Sequence, residues 1–166
     1  MSKKKICFVV AVPGTAEVFL RDHIKALCKD YDVFLAGYIN SEEDVKMLDL
    51  VGWRQIGILR PISLNSDLKA IHQLSAYFKQ MKFDVVHSVT PKAGLVCALA
   101  GFLAKVPIRI HIFTGQVWAT RTGFIRWMLK SVDKLIAKLD THILVDGGSQ
   151  KNFLVENGVF KADKGQ

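Results

Sequence analysis

Two short stretches of the sequence concentrate groups able to hold an anionic or hydroxyl-rich ligand. Thr90-Pro91-Lys92-Ala93-Gly94 places a hydroxyl and an ammonium where an apolar, helix-like run begins. Backbone N–H groups and the dipole at a helix N-terminus favour an anion. Thr90 and Lys92 are therefore candidates for contact with a diphosphate or carboxylate. The plainer alternative is an N-cap threonine beside a solvated lysine. The second stretch, residues 114–123, contains Thr114, Gly115, Gln116, Val117, Trp118, Arg121 and Thr122. It is too long and too mixed for a simple turn. Gly115 lets backbone approach a ligand. Gln116, Arg121 and Thr122 supply donors, and Trp118 offers a flat face to a sugar or an apolar tail. The alternative there is a tryptophan filling a gap in the core beside a solvated arginine.

Other reactive residue types are less organised. Val12-Pro13-Gly14-Thr15-Ala16-Glu17 lacks both the G-x-G-x-x-G and the G-x-x-x-x-G-K-[ST] pattern, which argues against a nicotinamide enzyme or a P-loop NTPase. Gly14 and Thr15 are kept only as ligand-edge candidates. His111 falls within a strand and His87 near a strand end, where structural roles are common. His23, His72 and His142 have no partners at ligand spacing, and no H-E-x-x-H or Cys/His cluster occurs, so no metal and no other cofactor is expected. Arg126, Lys130, Lys134 and Lys138 recur every four residues and form a basic stripe, with Trp127 and Phe124 beside it. This reads either as a solvated helix face or as a face drawn to anionic headgroups, where each basic residue contributes about 1 kcal/mol.

The elements that must carry these groups follow from hydrophobic periodicity. Ile6–Val12 is continuously apolar, as in a strand buried on both faces of a parallel sheet. Further strands are expected at Val33–Ala36, Trp53–Leu59, Asp84–Ser88, Ile108–Phe113 and His142–Val145. Helices are expected at Glu17–Lys29, at a start on Ser41 with Asp44 as box partner, and at Asp67–Met81 capped by Asn65 or Ser66. More follow at Ala93–Lys105, Gly123–Leu139 and Ser149–Asn157, the last closed by Gly158. The expected inner faces are Val18, Phe19, Ile24, Leu27 and Cys28 on the first helix and Leu68, Ile71, Leu74, Ser75 and Phe78 on the third. On the long helix after residue 122 they are Ile125, Leu129, Val132, Ile136 and Leu139. Gly94 and Gly101 allow close approach of an almost wholly apolar helix. On the strand between them, Arg109, His111 and Phe113 share one face.

Strand–helix alternation implies an α/β fold with a doubly wound parallel sheet, Rossmann-like, with ligands beyond the carboxyl ends of its strands. That edge collects residues 13–15, 37–38, 88–92, 114–122 and 146–148. The length of 166 residues suits one domain, and 50% hydrophobic with 23% charged residues is ordinary for a globular chain. The net charge of +8 favours an anionic partner without choosing between nucleic acid, membrane surface and phosphorylated ligand. Cys7, Cys28 and Cys97 show no C-x-x-C spacing and fit a reduced, cytosolic compartment. The basic start followed by Ile6–Val12 is a first strand rather than a signal peptide. The longest apolar stretch, Ala93–Ala104, is too short for the roughly 20 residues of a membrane span.

Phe83–His87, Thr90–Gly94, Arg109–Ala119 and Asp146–Gly158 together resemble a family-4 retaining glycosyltransferase of the GT-B architecture. The resemblance is most specific between Asp84 and Gly123. The sub-type it is most similar to builds O-antigen, capsule or other surface glycans in bacteria. The resemblance implies that residues 1–166 are the N-terminal, acceptor-side domain of a two-domain enzyme whose other domain binds a nucleotide-sugar. It also implies a polyprenyl-diphosphate-linked or other oligosaccharide acceptor at the cytoplasmic membrane face, and no nucleic-acid partner. Many members carry histidine at the Thr114 position, so no histidine role carries over, and His111 is not its substitute. The carboxylate-bearing donor motif of the family lies in the other domain. The chain ends at Gln166 before it, so the expectation is a truncated piece or one subunit of a split enzyme, inactive alone. In this reading Lys92 and Arg121 engage phosphate, while Thr114, Gly115 and Gln116 line the sugar cleft. Trp118 lines the acceptor path, and no catalytic residue is assigned. Two other readings stay open. One is half of a sugar-nucleotide epimerase. The other is a basic binding module, which lacks the interleaved aromatic and basic pattern of common RNA binders.

Overall fold

The computed structural model describes residues 3–59 and 63–165. Strands β1 (Lys5–Val10), β2 (Asp32–Gly37), β3 (Gly52–Gln55), β4 (Val85–Val89), β5 (Ile108–Phe113) and β6 (His142–Val145) form a single parallel sheet in the order β3-β2-β1-β4-β5-β6. The chain runs outward from β1 through β2 to β3, returns past β1 to β4, and then runs outward in the other direction. The point of reversal lies between β1 and β4, where open α/β sheets place their ligands. The doubly wound fold expected from alternation is therefore the fold observed.

Helix α1 (Pro13–Thr15) runs into a π-helical turn, Ala16–Leu20, and then α2 (Arg21–Leu27), with a 3-10 turn at Glu42–Val45 after β2. On the opposite face lie α3 (Leu64–Met81), α4 (Pro91–Leu103) and α5 (Gly123–Leu139), followed by α6 (Gly148–Glu156). Three apolar clusters result. One packs Cys7, Val9, Phe34 and Val86 of the sheet under α3 and α4. A second packs Phe8, Val10 and Leu35 under Leu20 and Ile24. A third joins Phe113 and Ile143 to Ile136 of α5, Leu154 of α6 and the following Val159 and Phe160. The alternation along β5 is as expected: the ring of His111 and the stem of Arg109 fill the space under Gly94 and Gly101 of α4.

Several expectations need correction. β1 stops at Val10, and β3 is the shorter Gly52–Gln55. Helix α3 starts earlier, after Ser63, whose backbone N–H donates to Asp67 Oδ2 at 3.4 Å; neither Asn65 nor Ser66 is its cap. Leu68 is exposed and Ile71 only partly buried, while Leu74, Ser75 and Phe78 are buried as expected and are joined on that face by Ala70 and Tyr77. Val18 and Phe19 are also exposed, although Ile24 is buried as expected. The π-turn adds a residue to the helical repeat, so a 3.6-residue pattern run backwards from Ile24 through it points to the wrong side chains. The Ser41–Asp44 box is present, but it opens only the short 3-10 turn.

Candidate functional site

The loops after β1, β4 and β5 lie on neighbouring strands and share the carboxyl edge of the sheet. Gly14 is exposed, whereas Thr15 is buried and its N–H donates to the Val12 carbonyl at 3.1 Å. Thr90 sits at the N-cap of α4 with φ 75° and makes no side-chain cap bond. A β-branched residue rarely adopts positive φ, and such strain persists only where its surroundings enforce it. Its Oγ1 is buried with no hydrogen-bond partner among the described residues. The capping alternative raised by the sequence is therefore not what this threonine does.

Lys92 is not solvated either. Its Nζ lies 2.6 Å from Asp67 Oδ2, and both side chains are largely covered. This ion pair ties the first turn of α4 to α3 and neutralises part of the charge that the sequence reading assigned to a ligand. In the sequence, Asp67 marks only the start of a helix. No spacing rule links positions 25 apart, so only the packing of α3 on α4 reveals the pair.

After β5, Thr114 and Gly115 are exposed, and Gly115 has φ 136°, a backbone region that side-chain-bearing residues rarely enter. Gln116 is half-buried and its Nε2 has no hydrogen-bond partner among the described residues, while Arg121 and Thr122 are exposed. Trp118 departs from its expected role. It is 1% exposed, donates its indole N–H to Asp133 Oδ2 at 2.7 Å, and stacks on Phe153. Arg126 and Lys130 lie against the same ring, 5.3 and 5.5 Å from its centre, and both approach Asn157 Oδ1. The tryptophan is a core anchor that fastens the loop to α5, and it presents no face to an acceptor. Burial pushes the Asp133 carboxyl up to about 6, partly offset by the indole hydrogen bond.

Behind this edge, Ser88 Oγ lies 2.9 Å from His111 Nδ1, with both residues fully buried. Burial holds the His111 imidazole down at about 3, so it is neutral and serves the fold. His87 is held at about 4, chiefly by burial and then by the charge of His23. It faces the α2 side of the sheet. There a cleft of about 250 Å³ is lined by Phe8, Phe19, Leu20, His23, Leu27, His87, Val89, Ile112, Thr114 and Leu144. The cleft is mainly apolar and has Thr114 in its lining, so one candidate from the sequence adjoins a hydrophobic slot that the sequence did not reveal. Its floor residues alternate along separate strands and come together only through the strand order. Among the described residues no group of three or more His, Cys, Asp or Glu is arranged to hold a metal ion.

The long helix also divides the expected basic stripe. Arg126 and Lys130 turn toward Trp118 and Asn157, leaving Lys134 and Lys138 exposed. Phe124, Ile125 and Trp127 are 72%, 55% and 64% exposed, so Ile125 is not part of the inner stripe. Phe124 and Trp127 stack on each other at 5.6 Å. Among the described residues no helix is long and apolar enough to cross a membrane.

A single parallel sheet wound in two directions from β1, with helices on both faces, defines a Rossmann-like domain. This chain belongs to the glycosyl transferase 4-like domain family, whose model matches residues 14–163. It is 30% identical over 165 residues to the capsular polysaccharide biosynthesis glycosyltransferase CapM of Staphylococcus aureus, covering 99% of this chain and 43% of CapM. Over 100 residues it is 27% identical to the UDP-Gal:alpha-D-GlcNAc-diphosphoundecaprenol alpha-1,3-galactosyltransferase of Escherichia coli, covering 60% of this chain and 26% of that enzyme. The chain thus spans less than half the length of the curated relatives it matches. Among solved structures, the UDP-GlcNAc 2-epimerase of Neisseria meningitidis superposes with TM-score 0.72 at 19% identity, over 97% of this chain and 44% of the epimerase. Anabaena Alr3699/HepE, solved with UDP and glucose, superposes with TM-score 0.71 at 14% identity, over 98% and 43%. At such identities these two share the fold.

Proposed function

We propose that this chain is the acceptor-side half of a retaining, metal-independent glycosyltransferase. The enzyme moves a sugar from a nucleotide-sugar to a polyprenyl-diphosphate-linked glycan during surface polysaccharide synthesis. The observation that carries this reading is the family match across nearly the whole chain, together with relatives whose names specify capsule synthesis and an undecaprenol-diphosphate acceptor. The apolar cleft beside Thr114 supports the acceptor class, because a lipid-linked sugar presents isoprenoid next to its polar head. Thr90, Gly115, Gln116 and Arg121 supply donors around the head group, and Gly14 borders it. Lys92 keeps the loop after β4 in position through Asp67 and adds positive potential. The exposed Phe124–Trp127 pair and the lysines of α5 hold the domain at the anionic inner face of the cytoplasmic membrane, where such acceptors reside.

The test uses a protein of the relatives' length containing this chain. Arg121→Ala is expected to lower sugar transfer about 100-fold, the order seen when one charge-stabilising donor is removed. Lys92→Ala is expected to lower it comparably, with partial recovery in Lys92→Ala/Asp67→Asn, which removes the stranded carboxylate. Undiminished transfer in both single variants rejects these roles. Product analysis of the same reaction separates transfer from epimerisation of the nucleotide-sugar, the alternative that shares this fold.

A further inference from the structure

The opposite end of the molecule carries a second basic feature. A groove of about 740 Å³ lies at the foot of α5, where the chain after α6 folds back beside β6. Its lining includes Lys134, Lys138, Lys161 and Lys164 together with Thr141 and His142, and Asp163 is the one carboxylate in it. The Lys164 ammonium donates to the Ala137 carbonyl near the end of α5. The ammonium groups of Lys134, Lys138 and Lys161 have no ion-pair or hydrogen-bond partner among the described residues. Concentrating several ammonium groups around one concavity is unfavourable unless an anion enters it.

The position of the groove selects the anion. Trp127, Lys134 and Lys138 are spaced by 7 and 4 residues on α5, which at 3.6 residues per turn puts them in one line along the helix. A surface that meets the exposed Phe124–Trp127 pair also meets these two lysines and the groove they wall. A soluble phosphate has no use for the aromatic pair. A bilayer supplies both an apolar–polar boundary for aromatic rings and phosphates beside it.

We propose that the lysine-lined groove receives the phosphate of an anionic lipid headgroup while Phe124 and Trp127 enter the adjoining interfacial layer, so that α5 lies along the membrane. This rests on the membrane reading above and adds a specific headgroup site to it. Sedimentation with vesicles of phosphatidylcholine alone, and of equal parts phosphatidylcholine and phosphatidylglycerol, tests the idea. The wild-type chain is expected to bind the anionic vesicles preferentially. Lys138→Gln/Lys161→Gln is expected to weaken that binding about 30-fold, the effect of two basic residues near an anionic surface. Lys25→Gln/Lys29→Gln removes the same charge on the α2 side and is expected to weaken it far less. Equal losses in the two pairs overturn the groove, because bulk charge then accounts for binding. Tight saturation of the Lys138 and Lys161 amide signals by inorganic phosphate alone, with vesicle binding unchanged in the groove pair, also overturns the lipid assignment. If Phe124→Ser/Trp127→Ser abolishes vesicle binding while the groove pair leaves it intact, the membrane reading survives and the groove does not. Absence of wild-type binding to either vesicle removes both. All these substituted side chains are exposed, and unchanged circular dichroism confirms that the variants are folded.

Discussion

At the scale of single residues, the buried polar groups serve packing more than chemistry. Asp133 is 3% exposed and accepts the Trp118 indole hydrogen bond. Its carboxyl is raised from 3.8 to about 6 by burial. The sign of its effect on stability follows by linkage. Below the unfolded value the group is protonated in both states and contributes no difference. As pH rises from about 4 through 6, the unfolded chain releases the proton first, and the native state loses stability, by about 3 kcal/mol at most. Asparagine can still accept from the indole but cannot ionise. Asp133→Asn should therefore gain on the wild type as pH rises from 4 to 7 and stay level with it below 4. Urea denaturation at a series of pH values measures this. A difference between variant and wild type that does not change with pH removes the buried ionisation from the account. The sequence offered Trp118 either as a ligand platform or as a core plug. Nothing local decides between them, because the deciding partner, Asp133, stands 15 positions away on a helix whose polar positions look solvated.

At the scale of elements, the fit between α4 and β5 depends on one missing methyl group. A Cβ on Gly94 would stand 2.5 Å from His111 Cε1. The ring cannot retreat easily. Ser88 holds one side at 2.9 Å, and Phe113 packs edge-on at 4.6 Å. Gly94→Ala should therefore destabilise the chain by about 1–3 kcal/mol despite its better helix propensity. The cost should shrink in a His111→Ala background, giving a coupling energy that a double-mutant cycle reads directly. Equal costs in both backgrounds would move the strain elsewhere. This contact was legible in outline: an almost wholly apolar helix with two glycines predicts close approach, and strand alternation predicts that His111 and Arg109 share a face. The π-turn before α2 was not legible. Its extra residue leaves the amino-acid types unchanged and alters only which of them point inward, so Val18 and Phe19 read as core until the backbone is seen. Periodicity is similarly blind to the inward turn of Arg126 and Lys130, since the stripe drifts slowly around α5 and only its first half meets Trp118 and Asn157.

At the scale of the whole molecule, the doubly wound parallel sheet was readable because strands alternating with helices leave few arrangements, while its strand order and the closure of the third cluster were seen only in the structure. Residues 161–166 look like a polar end in the sequence, and Val159 and Phe160 before them belong to no expected element, yet both are buried, Phe160 lies parallel to Phe113 at 6.2 Å, and Gly165 bridges to Ile143. The first two clusters share β1 and β2 through opposite faces, whereas the third rests on β5, β6, α5 and α6. Removing a buried phenyl ring from a core typically costs about 3–5 kcal/mol. Phe160→Ala should fall at the lower end, because its site is near the surface and can partly collapse. The loss should also be uneven. Native-state hydrogen exchange should quicken most in β6 and α6, whose packing depends on the third cluster, and least in β1, which lies between β2 and β4 and is covered on both faces. A uniform rise in exchange across β1 and β6 would mean that the three clusters unfold as one unit. The tail would then be stabilising the whole sheet, including the reversal point between β1 and β4, rather than only its distal edge.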